Sequence, residues 1–297
     1  MLADNIKSQI YLHLIVFIWG FTAILGQLIS LEALPLVWYR ILIAVITLLV
    51  FYVFTKQSIK APKHRIIQFL GAGVVIALHW LTFFLAIKVS NISITLACLS
   101  TGAFFASILE PLILKRKVVS YEVFFGFVVI CALTLIFSVS GEYIEGILLG
   151  LIAACLSALF SIINSKLIVH TAAPVITFYE MLGGLIVLSL VLLITGGFTI
   201  EFFEVSLNDW MWLLLLGTVC TAFAFLGSVY IMRYLTPFTV MLTINLEPVY
   251  GILLAVAIFK DSEKMTLEFY IGALLILSTV VLNGIVKNRK KRKLSTR

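Results

Sequence analysis

Glu247 lies near the middle of an apolar run from about Pro237 to Phe259, in the stretch Thr243-Ile244-Asn245-Leu246-Glu247-Pro248-Val249-Tyr250-Gly251. The run is about 23 residues long, enough to cross a hydrocarbon core of about 30 Å. A carboxylate at that depth costs at least about 2.5 kcal/mol and calls for a partner, a proton or a wet cavity. Pro248 removes a backbone donor and frees the carbonyl of Ile244 beside the carboxyl. One reading is a broken polar spot on a transport path, where Glu247 carries a coupling proton or binds a substrate ammonium. The other is a kink whose loose carbonyl is tied up by Glu247 or Asn245.

Other polar residues fall inside apolar runs. His79-Trp80, with Phe83, forms an aromatic patch carrying one titratable group, placed either to line a cavity or to pack as a neutral imidazole. Thr101, between Ser100 and Gly102, is near mid-span, where small and hydroxylic residues permit close helix packing or line a cavity. Arg40 offers a fixed positive charge to an anionic group, or snorkels or caps carbonyls. Glu180, of opposite charge at the matching place in the second half, likewise reads either as a functional charge or as a structural one. The candidate substrate-binding set is therefore Glu247, Asn245, His79, Trp80, Phe83, Thr101, Arg40 and Glu180.

Membrane spans must position these residues. Of 297 residues, 62% are hydrophobic and 12% charged, with mean hydropathy +1.18, against about 25% charged in a soluble domain. Continuous apolar runs exclude the alternation of lipid-facing strands. The expectation is an all-α polytopic membrane protein of ten transmembrane helices: about 10–30, 34–54, 66–87, 91–114, 119–138, 145–165, 173–194, 210–232, 236–259 and 267–286. The first run is too long for a signal-peptide core and lacks a small-residue cleavage site, so it should remain as a span. With the N-terminus inside, the inner segments hold 17 Lys and Arg and the outer loops only Lys88, Lys260 and Lys264, which places both termini in the cytoplasm. The basic tail from Lys287 to Arg297 follows a span and reads as an anchor to anionic lipid rather than to nucleic acid.

The halves repeat. Ala33 to Arg40 resembles Ala173 to Glu180, and an offset of 145 lays Ser100 to Ala103 over Asn245 to Pro248. Residues 1–140 and 141–297 thus form two repeats. Five spans in each force the second to insert upside down, with binding expected at the midplane between them.

These residues resemble a family. Trp19-Gly20, Tyr39-Arg40, Ala86-Ile87-Lys88-Val89-Ser90 and Asn245-Leu246-Glu247-Pro248 are similar, in order and spacing, to motifs of EamA-type transporters of the drug/metabolite superfamily. Ala103 departs from the family's common Pro, and Lys115-Arg116-Lys117 and Lys260-Asp261-Ser262-Glu263 depart from its acidic "GE" passage. The resemblance implies secondary transport of small metabolites such as amino acids across the bacterial cytoplasmic membrane, by export. Drug efflux or import by the same fold is the alternative, and a non-transporting sensor or structural protein is the reading from a different class. Neither an enzyme nor a cofactor is expected: there is no phosphate loop, and the four Cys and four His lack metal-ligand spacing. The partners expected are a small-molecule substrate, a coupling proton and the bilayer, with the chain a monomer and an oligomer left open.

Overall fold

In lipid every backbone polar group must find its partner within the protein, so apolar runs of this length become helices. The computed structural model describes residues 2–115, 143–235, 240, 243–244 and 246–295, with 124–125, 128–129, 131–132 and 135 between the first two. Its helices are α1 (Leu2–Leu28), α2 (Ala33–Thr55), α3 (Lys63–Val89), α4 (Ile92–Leu99), α5 (Gly102–Leu114), α6 (Ile144–Leu167), α7 (Ala173–Ile194), the short α8 (Ile200–Phe203), α9 (Leu207–Gly217), α10 (Ala224–Ile231), α11 (Glu247–Phe259) and α12 (Leu267–Ser295). A π-helical turn, Thr218–Phe223, joins α9 to α10. Among the described residues no strand occurs. Among the described residues, seven continuous or broken helices are long and apolar enough to cross a membrane, and Glu247–Phe259 and Leu267–Thr279 are shorter apolar helices. The expected fifth span falls largely outside the described residues, as do Asn245 and the start of the ninth span.

The chain is an all-helical polytopic membrane protein, and its fourth and ninth spans are related by one offset. Span four breaks between Leu99 and Gly102, with Thr101 N–H bonded to Cys98 O (3.0 Å) and Phe105 N–H to Thr101 O (3.1 Å). Moved by 145 residues, the same pattern recurs: Leu246 N–H to Thr243 O (3.0 Å) and Tyr250 N–H to Leu246 O (3.0 Å), with α11 starting at Glu247. Both half-helices run 13 residues and end on a lysine with positive φ, Lys115 (54°) and Lys260 (53°). These are the positions of the departures from the family's "GE" passage, and the backbone there adopts a conformation that glycine takes at little cost. Packing is exchanged between halves in the same way. α3 lies on α7 as the α9–α10 rod lies on α2, and α1 lies on α11 as α6 lies on α4 and α5. With five spans a side, that is the inverted-repeat architecture.

The break corrects one expectation. Pro248 does not interrupt a helix; it sits in the first turn of α11, where a missing N–H leaves no bond unmade.

The two ends of the bundle are closed differently. Beside the α1–α2 turn, the Asp209 carboxylate accepts from Ser30 N–H (2.8 Å), Ser30 Oγ (2.6 Å) and Ser206 Oγ (2.8 Å), and Lys88 Nζ donates to Ile29 O (2.7 Å). At the same end Glu263 accepts from the first amides of α4, Ile92 (3.0 Å) and Ser93 (2.9 Å), and from Ser93 Oγ (2.9 Å). The opposite end shows, among the described residues, exposed single bonds from Arg233 to Thr171 O (3.2 Å) and Lys166 to Ile113 O (3.3 Å).

Helices α3 and α7 approach so closely that a Cβ on Gly73 would overlap the Glu180 carbonyl and one on Gly183 the Leu70 backbone; at Gly71 it would meet nothing within 4 Å. Gly73→Ala should therefore destabilise the protein by about 1–3 kcal/mol, while Gly71→Ala leaves it unchanged or slightly steadier. Thermal unfolding of both variants in detergent checks this, and equal melting temperatures would disprove the tight contact.

Candidate functional site

One helix face per span builds a central cavity. On α3, Ile76, His79, Trp80 and Phe83 recur at helical spacing and point to it together. From α6 come Ser157, Phe160 and Ser161, from α10 Phe225 and Ser228, and from α1 Trp19 and Thr22. Both breaks open onto it, Leu99 and Gly102 on one side, Ile244 and Glu247 on the other, again 145 apart. The N-termini of α5 and α11, whose first amides carry the positive end of the helix dipole, thus meet at the cavity. Its free volume is about 70 Å³, space for a handful of waters at about 10–15 Å³ each.

Arg40 is the largest fully buried side chain, 1% exposed. Its guanidinium carbon lies 4.0 Å from the centre of the Trp80 ring and 5.5 Å from that of Phe84, a stacked cation–π arrangement. Nε donates to Thr221 Oγ1 at 2.7 Å, whereas Nη1 is buried with no hydrogen-bond partner. The π-turn makes this possible. Thr221 Oγ1 donates to Leu216 O, five residues back, at 2.6 Å and is left facing Arg40 as an acceptor. The adjoining Cys220 carbonyl accepts from Trp19 Nε1 at 3.1 Å. Snorkelling is thereby replaced: the charge points inward, at the cavity that Glu247 also lines.

His79 both lines the cavity and holds the bundle. Its Nδ1 lies 2.8 Å from the Ala153 carbonyl. A carbonyl only accepts, so Nδ1 carries the hydrogen of this contact.

Of the eight residues singled out in the sequence, five line the cavity: Glu247, His79, Trp80, Phe83 and Arg40. Thr101 is fully buried beside it with its hydroxyl donated to Cys98 O (2.7 Å). Glu180 is fully buried away from the cavity and accepts from Asn164 Nδ2 (2.8 Å). Asn245 is outside the described residues. Thr221, Ser157 and Ser161 escaped the sequence reading. The serines had a signal, since Ser157, Ser161 and Asn164 keep helical spacing within an apolar run; Thr221 had none, because a π-turn leaves no local pattern.

The site is thus a central cavity, lined by one buried cation and one carboxyl, within a bundle of broken helices of the membrane-spanning class. The family model for EamA-like transporters matches residues 6–138 and again 144–285, and the chain belongs to that family. A crystal structure of a protein 13% identical superposes with a TM-score of 0.69 over 95% of this chain and 98% of the other, which shows the shared fold. No curated protein matches the sequence.

The geometry separates neighbouring hydroxyls. In a background without the four native cysteines, Ser157→Cys and Ser161→Cys should react with a small membrane-permeant thiol reagent, and Thr101→Cys should stay at least about tenfold slower. Equal rates at all three positions would show the cavity to be misplaced.

Proposed function

We propose that this protein is a secondary active transporter that exports small zwitterionic metabolites, amino acids foremost, across the bacterial cytoplasmic membrane. The observation that carries the reading is the unsatisfied Nη1 of Arg40 in a cavity that Glu247 also lines. A buried donor with no acceptor is costly, and a substrate carboxylate would complete it, bound more firmly by a guanidinium than by a point charge. Glu247 would then take the ammonium, and the aromatic rings of Trp80 and Phe83 the side chain. The two charges are not joined by a salt bridge within 4.0 Å among the described residues, which leaves the space between them to a ligand. The bias of basic residues favours both termini in the cytoplasm, and on that reading the tightly closed end of the bundle faces outward.

Purified protein in liposomes, screened against a panel of labelled amino acids and other metabolites, tests the proposal. Glu247→Gln should lower both pH-driven flux and exchange of labelled for unlabelled substrate by about 10²-fold or more, as expected when a buried charged contact worth about 3 kcal/mol is lost. Retained exchange with lost pH-driven flux would assign the proton rather than the ammonium to Glu247, and normal transport would make it a structural residue. External labelling of single cysteines should tag position 201 and not 60 or 166; the reverse would invert the topology.

A further inference from the structure

A second buried carboxyl lies outside the cavity. Glu180 on α7 is fully buried, as are Asn164 on α6 and Thr177, one turn before Glu180 on its own helix. Asn164 Nδ2 donates to Glu180 Oε1 at 2.8 Å, whereas Glu180 Oε2, Asn164 Oδ1 and Thr177 Oγ1 have no hydrogen-bond partner. No counter-charge is supplied. α2 brings Tyr52 against Phe178, and its Arg40 is held by Thr221. α3 brings Gly73 against the Glu180 backbone and Phe69 against Tyr179, and its His79 is held by Ala153. α10 has no charged residue, and no ion pair to Glu180 exists among the described residues. A bare carboxylate in such a place is expensive. A metal ion is a poor answer, because the amide nitrogen already points at the carboxyl. A proton is a good one. The charged acid accepts from the Asn164 amide, and the neutral acid donates to Oδ1 of the same amide once that amide has turned over.

A path to the cavity is present as well. Ser157 and Ser161 line it, and Asn164 follows one turn on along the same face of α6. We propose that Glu180 with Asn164 is a proton-binding site, loaded along the Ser157–Ser161 face from the central cavity. Its use as the coupling site rests on the transport reading above; its existence does not. The step is one proton added to one carboxylate oxygen and given back.

The full-length protein in liposomes, titrated with acid and followed by infrared absorption, tests the site without any substrate. Wild type minus Glu180→Gln should leave, in the difference spectrum, one carboxylic-acid carbonyl component that titrates and shifts in deuterium oxide. Glu247→Gln should retain that component, and Asn164→Leu should shift its frequency or midpoint by removing the hydrogen-bonding amide. If Glu180→Gln does not reach the membrane, wild type minus Asn164→Leu decides alone: a difference spectrum with no carboxylic-acid component overturns the site. No titrating component in wild type minus Glu180→Gln, at any pH the protein withstands, overturns it too. Where wild-type flux is found, exchange in Glu180→Gln should lose its dependence on pH. Retained pH-gradient-driven accumulation in that variant would overturn the coupling role, while an absence of wild-type flux would count against the transport reading and leave the infrared result standing.

Discussion

The burial of the Arg40 guanidinium is the constraint to which the rest of the bundle answers. A cation at mid-depth needs a ring to stack on, an acceptor for at least one N–H and a wet or ligand-filled space for the remainder. Trp80 supplies the first and Thr221 the second. Each has a structural condition attached. Trp80 comes to the cavity because α3 packs through Gly73 directly on the α7 backbone, and Thr221 comes to it because the rod of span eight contains a π-turn, a deformation often found where a helix serves a site. Remove either and the charge would keep only part of what holds it.

The two halves share a scaffold and divide the chemistry. Breaks, half-helix lengths and left-handed end residues repeat at one offset, so the backbone of the cavity is nearly two-fold. The side chains are not: Gly102 stands where the other half has Glu247, Trp80 where it has Phe225, and Arg40 where it has Glu180. Asymmetry of side chains keeps a single polar ligand from meeting two equivalent sites.

Much of this was readable in the sequence, because lipid imposes length and apolarity on every span. The run 173–194 coincides with α7, and 34–54 differs from α2 by a residue at each end. What stayed hidden was local. The break in span four has no hydropathy mark, since Ser100 and Thr101 satisfy their hydroxyls on Ala97 and Cys98 carbonyls within the same turn. Pro248 was visible but ambiguous, for a proline reads alike inside a helix and at its beginning. Glu180 was marked as special through its alignment with Arg40, yet only the fold, which sets α6 and α7 together against α3, reveals that its partner is Asn164 and not the cavity. Depth and residue type can be read from one chain; which face a residue turns, and to whom, depends on neighbours far away in sequence.

The unequal closure of the two ends has a thermodynamic side. Opening the end held by Asp209, Lys88 and Glu263 breaks buried and part-buried, charge-assisted bonds, whereas the other end, among the described residues, gives up exposed bonds that water can replace. On the transport reading proposed above, an unliganded protein whose other end is the easier to open would rest with its site turned toward that end. A ligand arriving there would meet the binding-competent form directly. One arriving at the tight end would first wait for a rare conformer, and its apparent affinity would be weakened by that conformer's small population. Identical contacts in the cavity would thus yield two different half-saturation concentrations, one for each face of the membrane.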